Sequence, residues 1–539
     1  MNLRYIAVIV IVLLAGFGVY RFVQTGESES QKRTGEFSLV AKNAPMAGNS
    51  QTVELKNGDS YDLTARIVQK KIQGQTIKML AYNGSIPGPL IKVSQGSEIT
   101  LNFKNETDVD TTIHSHGVRL ENKFDGVPDL TQKPVRPGES FTYKIKFPDE
   151  GMFWYHPHIR EDYAQELGLY GNYLVMPTQK DYWGEVDREE SLFLDDILIE
   201  NGQIAAFNQS GADHTLMGRF GNTMLVNGDT NFRLPVKQGE RVRFYITNAA
   251  NTRTFNFSVP NTRMKLVGAD NGKYEREESV DSVVIGPSER AIVEIWFDQA
   301  GNFEITNKTP EKSYKLGTIA VTSNPVTTSY LMVSRVNDDF IASLASLRPM
   351  FDKPADKSLT LSLQMGNSNT QGNTQNNQMG GHMMGNPPAG EAGGQMMPNK
   401  QMAMGEVKKI EWEDKMGMMN AQSTTNTLKW KLVDQATNKE NMNIGWQFKK
   451  GDIVKVKIFN DDKSMHPMQH PIHIHGQRFL VLSTNGQKNQ NLVWKDTTLI
   501  QTGDTVELLV QMDNPGDWVI HCHIPEHMEA GMMSKFKVI

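Results

Sequence analysis

The chain has 539 residues, enough for about three domains that each enclose an apolar core. Its 56 Lys and Arg nearly balance its 61 Asp and Glu, and it has no block of like charge of the kind that binds nucleic acid. Nucleic acid is therefore excluded as an expected partner, and the single cysteine excludes an internal disulfide.

The chain begins with an apolar segment. Arg4 precedes an apolar run from Tyr5 to Tyr20, which is the layout of an export signal. The run is short for a membrane span, and cleavage and retention as an anchor both stay open. We therefore expect a signal peptide or membrane anchor at 1–24 and a polar tether at 25–44. The protein is expected in the periplasm or on the outer face of the cytoplasmic membrane.

One alternating pattern occurs three times along the rest of the chain. It reads GSEITLNFKN from Gly96, GERVRFYITN from Gly239 and GDIVKVKIFN from Gly451, with apolar residues at the third, fifth and seventh positions after each glycine. Such alternation is typical of a β-strand with one buried face. The repetition indicates three copies of one structural unit.

A second pattern distinguishes the outer copies from the middle one. GESFTYKIKFPDEGMFWYHPH and GDTVELLVQMDNPGDWVIHCH have the same glycine spacing and place a histidine five residues after the second glycine. The middle unit keeps the strands in SERAIVEIWFDQAGNFEITNK, but Thr306 and Lys308 stand where the outer units carry histidines. The middle unit is therefore predicted to lack metal ligands.

Short alternating strands, Gly and Pro turns and little helical periodicity predict an all-β chain of three antiparallel β-sandwiches. We place these at residues 45–180, 181–330 and 350–539, with a linker at 331–349. A low-complexity stretch at about 364–425, rich in Asn, Gln, Gly and Met, is interpreted as an insertion in the third unit.

Ten of the 13 histidines fall in four clusters, HSHG, HPH, HPIHIH and HCHIPEH. The other three, His214, His382 and His466, stand alone, and a lone histidine is usually a hydrogen-bonded surface or core residue. Alternate residues of a strand project to the same side, so each H-x-H pair presents two imidazoles to one face. The eight paired histidines come from the first and third units, so the predicted site lies between them. They are His114, His116, His156, His158, His473, His475, His521 and His523.

Cys522 lies between His521 and His523 and must point to the opposite face. His470, His527 and Met532 are spaced to join it. Two imidazoles, a thiolate and a weak axial thioether form the arrangement of blue-copper electron-transfer sites. Zinc also binds Cys and His, but the spacing from Cys522 to Met532 favours copper.

The motifs HSHG, HPH, HPIHIHG and HCHIPEHMEAGM together resemble those of three-domain multicopper oxidases, the family of laccases and bacterial copper efflux oxidases. The resemblance covers the chain from about residue 50 to its end. It implies three consecutive cupredoxin-like Greek-key β-sandwich domains. It also implies an enzyme with four coppers per chain that takes single electrons from a donor and reduces dioxygen to water.

By motif position, the resemblance also assigns the ligands of each copper. The type 1 copper takes His470, Cys522, His527 and Met532, the type 2 copper takes His114 and His473, and the two type 3 coppers take His116, His156, His158, His475, His521 and His523.

Proton delivery is the least determined part of the predicted site. Asp125, in NKFDGVP, matches a family aspartate near the cluster and is a candidate for proton relay, although an aspartate before glycine is also typical of a turn. Relatives often carry a glutamate directly after the type 1 histidine, where this chain has Met528. Protons are therefore expected to arrive through Glu529 or by a different path.

The electron donor is indicated by methionines. Ten of the 28 methionines lie between Met379 and Met419, and thioethers are soft ligands that favour Cu(I). Met468 matches a substrate-copper methionine of the copper efflux oxidases, and His466 stands where those enzymes have an aspartate. With Met416 and Met418, these residues form the candidate substrate site. We expect Cu(I) oxidation as a defence against copper, in a monomer that uses dioxygen.

Three alternatives stay open. One is a laccase that oxidises phenols or aromatic amines, with the insertion as a lid over the type 1 site; deletion of the insertion separates it from a cuprous oxidase. Another is a cupredoxin-fold binding or assembly protein without catalysis, which the complete set of copper ligands disfavours. A copper nitrite reductase needs only type 1 and type 2 copper, which leaves the type 3 histidines unexplained.

Overall fold

The structure is a computed structural model that describes residues 36–41, 43–326, 333–365 and 408–539. The predicted signal segment, most of the tether, His382 and much of the methionine-rich insertion lie outside the described residues. Among the residues described, no helix is long and apolar enough to cross a membrane.

Nine strands build the first domain. They are β1 Thr52–Glu54, β2 Ser60–Ile72, β3 Gln75–Tyr82, β4 Leu90–Ser94, β5 Glu98–Glu106, β6 His114–His116, β7 Ser140–Lys146, β8 Gly151–His156 and β9 Gly171–Met176. One sheet has the order β1-β4-β9-β8-β6, and the other has the order β3-β2-β5-β7. The short helix α1, Glu161–Ala164, follows the HPH motif.

The second domain has two larger sheets and a small hairpin. Its strands are β10 Arg188–Ile197, β11 Ile199–Glu200, β12 Gln203–Ile204, β13 Thr223–Val226, β14 Phe232–Lys237, β15 Arg241–Asn248, β16 Phe255–Ser258, β17 Arg263–Ala269, β18 Gly272–Val280, β19 Val283–Ile285, β20 Arg290–Trp296, β21 Gly301–Lys308 and β22 Ser313–Thr322. The sheets run β13-β10-β15-β20-β17-β18 and β14-β22-β21-β16-β19, and β11 pairs with β12.

The third domain repeats this plan. Its strands are β23 Lys357–Met365, β24 Leu428–Asp434, β25 Trp446–Phe448, β26 Asp452–Asn460, β27 His470–Ile474, β28 Arg478–Thr484, β29 Gln487–Lys488, β30 Thr497–Ile500, β31 Thr505–Met512, β32 Gly516–Cys522 and β33 Met533–Val538. The sheets run β24-β23-β26-β31-β28-β29 and β25-β33-β32-β27-β30. Helix α4, Pro525–Glu529, lies between β32 and β33.

The three-sandwich prediction is confirmed, but the sheets are not purely antiparallel. Each domain contains parallel pairs, for example β2 with β5, β10 with β15 and β23 with β26. Two parallel neighbouring strands cannot be joined by a tight hairpin and need a longer crossover connection. Neighbours in a sheet are therefore often strands that do not follow one another in the sequence. Alternation within a strand carries no information about this direction.

The expectation of one buried face holds for β5, where buried and more exposed residues alternate, but it is wrong for β15. All eight residues of β15 are buried, including Arg241 and Arg243. One face of its sheet packs in the core of the second domain. On the other face, Tyr245 joins a cluster with Met152 and Leu174 of the first domain, so the domain contact buries the side that would otherwise face solvent.

Parts of the proposed linker and of the proposed insertion are helical. In the proposed linker, helix α2, Asp338–Ser343, is tied to the second domain by an ion pair of 2.7 Å between Asp339 and Lys273. At the end of the proposed insertion, helix α3, Gly417–Gln422, is held by the buried side chain of Asn420. That side chain accepts a hydrogen bond from the backbone N–H of Met217 and donates one to the carbonyl of Gly218.

Gly476, directly after the HPIHIH motif, has a φ of +64°, and a Cβ there would lie 2.5 Å from the ring of Trp518. Gly451 has a φ of +89° but open space around it, so it is a matched control. We expect Gly451→Ala to destabilise the domain by about 1–2 kcal/mol, the cost of a left-handed backbone for an L-residue. Gly476→Ala should cost more, because the ring must also move. Calorimetric Tm values check this order, and equal shifts would contradict it.

Candidate metal centres

The paired histidines of the first and third domains meet in one buried cluster. In the first domain, β6 and β8 are antiparallel neighbours, with His114 opposite His156. In the third domain, β27 and β32 place His473 opposite His521. All eight imidazoles are at most 4% exposed. The site lies between the two outer domains, as the spacing of the motifs predicts.

Ligand atoms in the cluster fall into compact groups, each with its atoms within 4.8 Å of one another. Two of the groups contain three histidines each and share no member. A third group contains His114 and His473, the two histidines assigned to type 2 copper, together with His116. The groups are His116, His156 and His523; His158, His475 and His521; and His114, His116 and His473.

Hydrogen bonds determine which ring nitrogen of His114 and of His473 is left to bind a metal. Nδ1 of His114 lies 2.8 Å from the carbonyl oxygen of Asp125, and Nδ1 of His473 lies 2.8 Å from that of Asp496. A carbonyl only accepts, so both Nδ1 atoms donate. Nε2 of each ring then carries a lone pair, and both Nε2 atoms are buried without a partner.

His475 and His521 give the clearest evidence that a cation belongs here. Nδ1 of His475 donates to the carboxylate of Asp125 over 2.8 Å, and Nδ1 of His521 donates to the carbonyl of Cys522 over 2.9 Å. Their Nε2 atoms are only 2.9 Å apart. Two acceptor lone pairs at this distance repel unless a cation lies beside both, so the arrangement fits a shared metal ion.

The protonation states also suit a metal. Burial, together with repulsion between neighbouring rings, holds the pKa of His116, His156 and His473 well below its usual value, and burial lowers the pKa of His521 to about 4. Neutral imidazole is the form that binds metal. At neutral pH the protein therefore presents these nitrogens ready to coordinate.

On the opposite face of β32, Cys522 lies with His470 and His527. Its Sγ is 3.5 Å from Nδ1 of His470 and 3.9 Å from Nδ1 of His527, and the two nitrogens are 3.3 Å apart. The centre of this triangle is about 2 Å from each atom, close to the length of a bond from nitrogen to a metal. Met532 is fully buried in the same apolar cluster as Cys522.

The Cys522 thiol also requires a cation to act as a ligand. Burial raises its pKa far above the usual value, so without a metal it stays protonated. A bound cation reverses this preference, and metal binding releases the proton. The donor set of two neutral imidazoles and one thiolate matches the blue-copper site expected from the sequence.

Comparison with known proteins agrees with this geometry. Sequence models of the family described as multicopper oxidase match residues 64–180, 195–335 and 411–539, which together make up most of the chain. The chain belongs to the multicopper oxidase family.

Individual relatives are distant. Multicopper oxidase mco of Staphylococcus epidermidis is 25% identical over 469 residues, which cover 85% of this chain and 83% of the relative. Laccase-1 of Botryotinia fuckeliana is 27% identical over 522 residues, with 90% and 83% covered. Among solved structures, a laccase-like multicopper oxidase CueO from Ochrobactrum sp. superposes with a TM-score of 0.67 at 20% identity, covering 92% of this chain and all of that one.

In this multicopper oxidase, bound copper would supply the one-electron chemistry that couples oxidation of a reductant to reduction of dioxygen. The two candidate metal centres lie on opposite faces of the end of strand β32. Cys522 lies with His470 and His527 in the predicted type 1 site, while its chain neighbours His521 and His523 belong to the cluster between the domains. The two candidate metal centres are therefore joined by covalent bonds within three consecutive residues.

Asp125, the predicted relay residue, is fully buried beside two candidate ligands. Its Oδ2 is 2.8 Å from Nδ1 of His475, and its Oδ1 is 3.3 Å from Nδ1 of His114. Asp125 therefore orients a predicted type 3 ligand through its carboxylate and a predicted type 2 ligand through its backbone carbonyl. Its role in proton transfer stays a prediction.

Glu529 lies near Arg160 and Asp162, and burial, with repulsion from Asp162, raises its pKa to about 7. Among the described residues it has no hydrogen bond or ion pair to a candidate copper ligand. The sequence prediction overlooked Glu161, whose two carboxylate oxygens are buried without a hydrogen-bond partner. They lie 3.5 Å from Nδ1 of His158 and 4.0 Å from Nδ1 of His156. Its place three residues after His158 was the available signal.

Trp430 was also overlooked. Its ring packs against His527, with centroids 4.2 Å apart, and against His470, at 4.8 Å. The indole N–H donates to the carbonyl of Thr215 in the second domain over 2.7 Å. This bond fixes the ring, which in turn limits rotation of both type 1 imidazoles. Nothing in the local sequence marks a tryptophan for this position.

We expect Cys522→Ser to abolish the blue thiolate absorption and oxidase turnover, because the hydroxyl is a far poorer copper ligand. The substitution is small, so the Tm of the copper-free chain should change little. Absorption spectroscopy, oxygen consumption and calorimetry on the same samples check this. Retained turnover in this variant would refute the assignment of Cys522 as the electron-entry ligand.

Proposed function

We propose that this multicopper oxidase uses Cu(I) as its physiological reductant and protects against copper outside the cytoplasm. The observation that carries the proposal is the chemistry at the edge of the type 1 site. Among the described residues, an imidazole with an unpartnered nitrogen lies near the predicted ligands, and thioethers lie in and against the apolar cluster that contains Cys522, a combination suited to cuprous ions. Oxidation to Cu(II) would then take place at the predicted electron-entry site.

His466 is the imidazole at this edge. Its side chain is half-buried, and its Nε2 has no hydrogen-bond partner. Burial lowers its pKa despite the opposing effect of Asp414, so the ring is neutral and able to coordinate. Burial lowers the pKa of His470 and His527, the two predicted type 1 imidazoles, and repulsion from His466 lowers both further, so His466 is placed near them.

The methionines divide into buried and exposed members. Met468 is completely buried in the apolar cluster that contains Cys522 and Met532, and Met416 packs against that cluster from outside. Met418 is 80% exposed, as expected of a residue that meets ions from solvent. This gradient from exposed to buried thioethers supports a path for Cu(I) towards the type 1 site.

The last part of the insertion is fastened near the same site. The hydroxyl of Ser423 accepts a hydrogen bond from the backbone N–H of Leu216, and Asn420 binds the next residue, Met217. Leu216 and Met217 belong to the cluster that encloses Cys522. Residues 408–425 therefore form a fixed cover, and a deletion that tests the methionine-rich segment should end at residue 407.

A laccase activity is the second candidate, favoured by one cavity. It has a volume of about 400 Å³ and lies between the second domain and residues 413–421. Phe220, which lines it, also packs in the cluster around Cys522, and Tyr314 and Arg253 provide polar contacts. A phenol or aromatic amine in this cavity would lie near the electron-entry site. The two activities are compatible in one protein.

Met468→Leu tests the thioether path, with Met512→Leu as the matched control, because Met512 is buried in the same apolar cluster. We expect Met468→Leu to lower kcat/KM for Cu(I) by about tenfold or more, equivalent to about 1.4 kcal/mol, while phenol oxidation and the blue absorption persist. Met512→Leu should leave both activities unchanged. Oxygen consumption with Cu(I), Fe(II), Mn(II) and a phenol measures this.

Deleting residues 379–407 provides an independent test of the same proposal. Turnover of Cu(I) should fall while phenol turnover persists or rises. The deletion removes thioethers but leaves the fixed cover at 408–425 in place. If cuprous turnover is unchanged in both the deletion and Met468→Leu, the protein does not use these thioethers. A laccase function would then be the better description.

A further inference from the structure

The middle domain has no predicted copper ligand, yet one of its side chains reaches the ligand cluster indirectly. Arg290 begins β20 and is 1% exposed. Its guanidinium donates to Oδ1 of Asp496 over 2.7 Å and makes a second bond to Oδ2 of the same carboxylate. Such a two-bond contact between arginine and carboxylate holds both groups in one orientation.

Asp496 is the link to the predicted copper ligands. Its Oδ1 lies 3.0 Å from Nε2 of His116, so this nitrogen donates and Nδ1 of His116, which has no partner, faces the cluster. Its backbone carbonyl accepts from Nδ1 of His473. One residue therefore sets the ring orientation of a predicted type 3 ligand and of a predicted type 2 ligand.

Arg290 is itself held by all three domains. Its Nε donates to the carbonyl of Met152 in the first domain over 2.9 Å, and its backbone N–H donates to Asp270 of the second domain over 2.8 Å. Asp496 belongs to the third domain. The guanidinium thus has one available position once the domains are assembled, and that position fixes Asp496.

The ion pair between Arg290 and Asp496 is closely packed against Gly117. A Cβ at Gly117, the glycine of HSHG, would lie 2.1 Å from Oδ2 of Asp496 and 3.2 Å from Nη2 of Arg290. Glycine at this position therefore lets the ion pair approach the backbone that follows His116. The motif, the arginine and the aspartate form one unit assembled from three domains.

We propose that Arg290 is a positioning residue for the trinuclear copper ligands, acting through Asp496 on His116 and His473. Residues that orient metal ligands from behind typically change metal affinity by about 10- to 100-fold when removed. The middle domain then has a direct task in copper binding, although it supplies no ligand. The proposal does not depend on which reductant the enzyme uses.

Arg290→Gln tests this in the full-length copper-loaded protein. We expect the type 2 and type 3 coppers to bind about 10- to 100-fold more weakly while the blue thiolate absorption persists. Copper content is measured after dialysis against buffers of defined free copper. The type 2 electron paramagnetic resonance signal, recorded on the same samples, reports the type 2 copper separately from the type 3 coppers. Arg290→Lys keeps the charge without the two-bond contact, and we expect it to restore part of the affinity.

Arg243→Gln is the matched control. Arg243 is 3% exposed, pairs with the buried Glu294 at 2.7 Å in the same sheet and has no contact with a predicted ligand. It should keep the full copper content even if its Tm falls. Equal loss of copper in both variants, or full copper content in Arg290→Gln, would overturn the proposal.

A double variant covers the case in which Arg290→Gln folds poorly because Asp496 is left as an unpaired buried charge. Arg290→Gln with Asp496→Asn removes both charges. If Arg290 acts through Asp496, the copper affinity of the double variant should be no lower than that of Asp496→Asn alone. A loss equal to the product of the two single losses would show that Arg290 acts by another route.

Discussion

The lone pairs of the buried imidazoles impose the constraint on which the rest of this structure depends. Ring N–H groups of His114, His473, His475 and His521 are committed to oxygen acceptors, so their other nitrogens converge as acceptors on one space. Apolar side chains cannot satisfy such atoms, and a protonated ring is opposed by burial. Bound cations would satisfy lone pairs from both domains at once, so metal binding and the contact between the first and third domains stabilise each other.

Much of this arrangement was predictable because it follows from strand geometry. The two-residue period of a strand sends the members of each H-x-H pair to one face and Cys522 to the other, whatever the rest of the chain does. The repeated alternating segments likewise predicted the three β-sandwiches. Prediction failed where neighbours from another domain decide the outcome. The second face of β15 is covered by Met152 and Leu174, and no local pattern contains that information.

The same limit explains the site residues that the sequence did not reveal. Arg290 and Asp496 are 206 residues apart, and Trp430 is held by Thr215 from another domain. A single arginine or tryptophan has no spacing to distinguish it from any core residue. Glu161 differs, because it lies three residues after His158 and its partners are local. Metal ligands can be recognised in the sequence because they are clustered there. The residues that orient them are far apart in the sequence and are brought together only by the fold.

Charge distribution around the cluster gives the middle domain a further meaning. The eight imidazoles bring no negative charge to a bound metal, so nearby carboxylates would supply it. The charge of Asp496 is already balanced by Arg290, which leaves its oxygens available for orientation more than for neutralisation. In the part of the chain that the structure describes, Asp125, beside His114 and His475, and Glu161, beside His156 and His158, have no such basic partner. The structure thus separates the two tasks: an arginine-bound carboxylate aligns the rings, and carboxylates without an arginine partner are placed to balance the charge that a bound metal would bring.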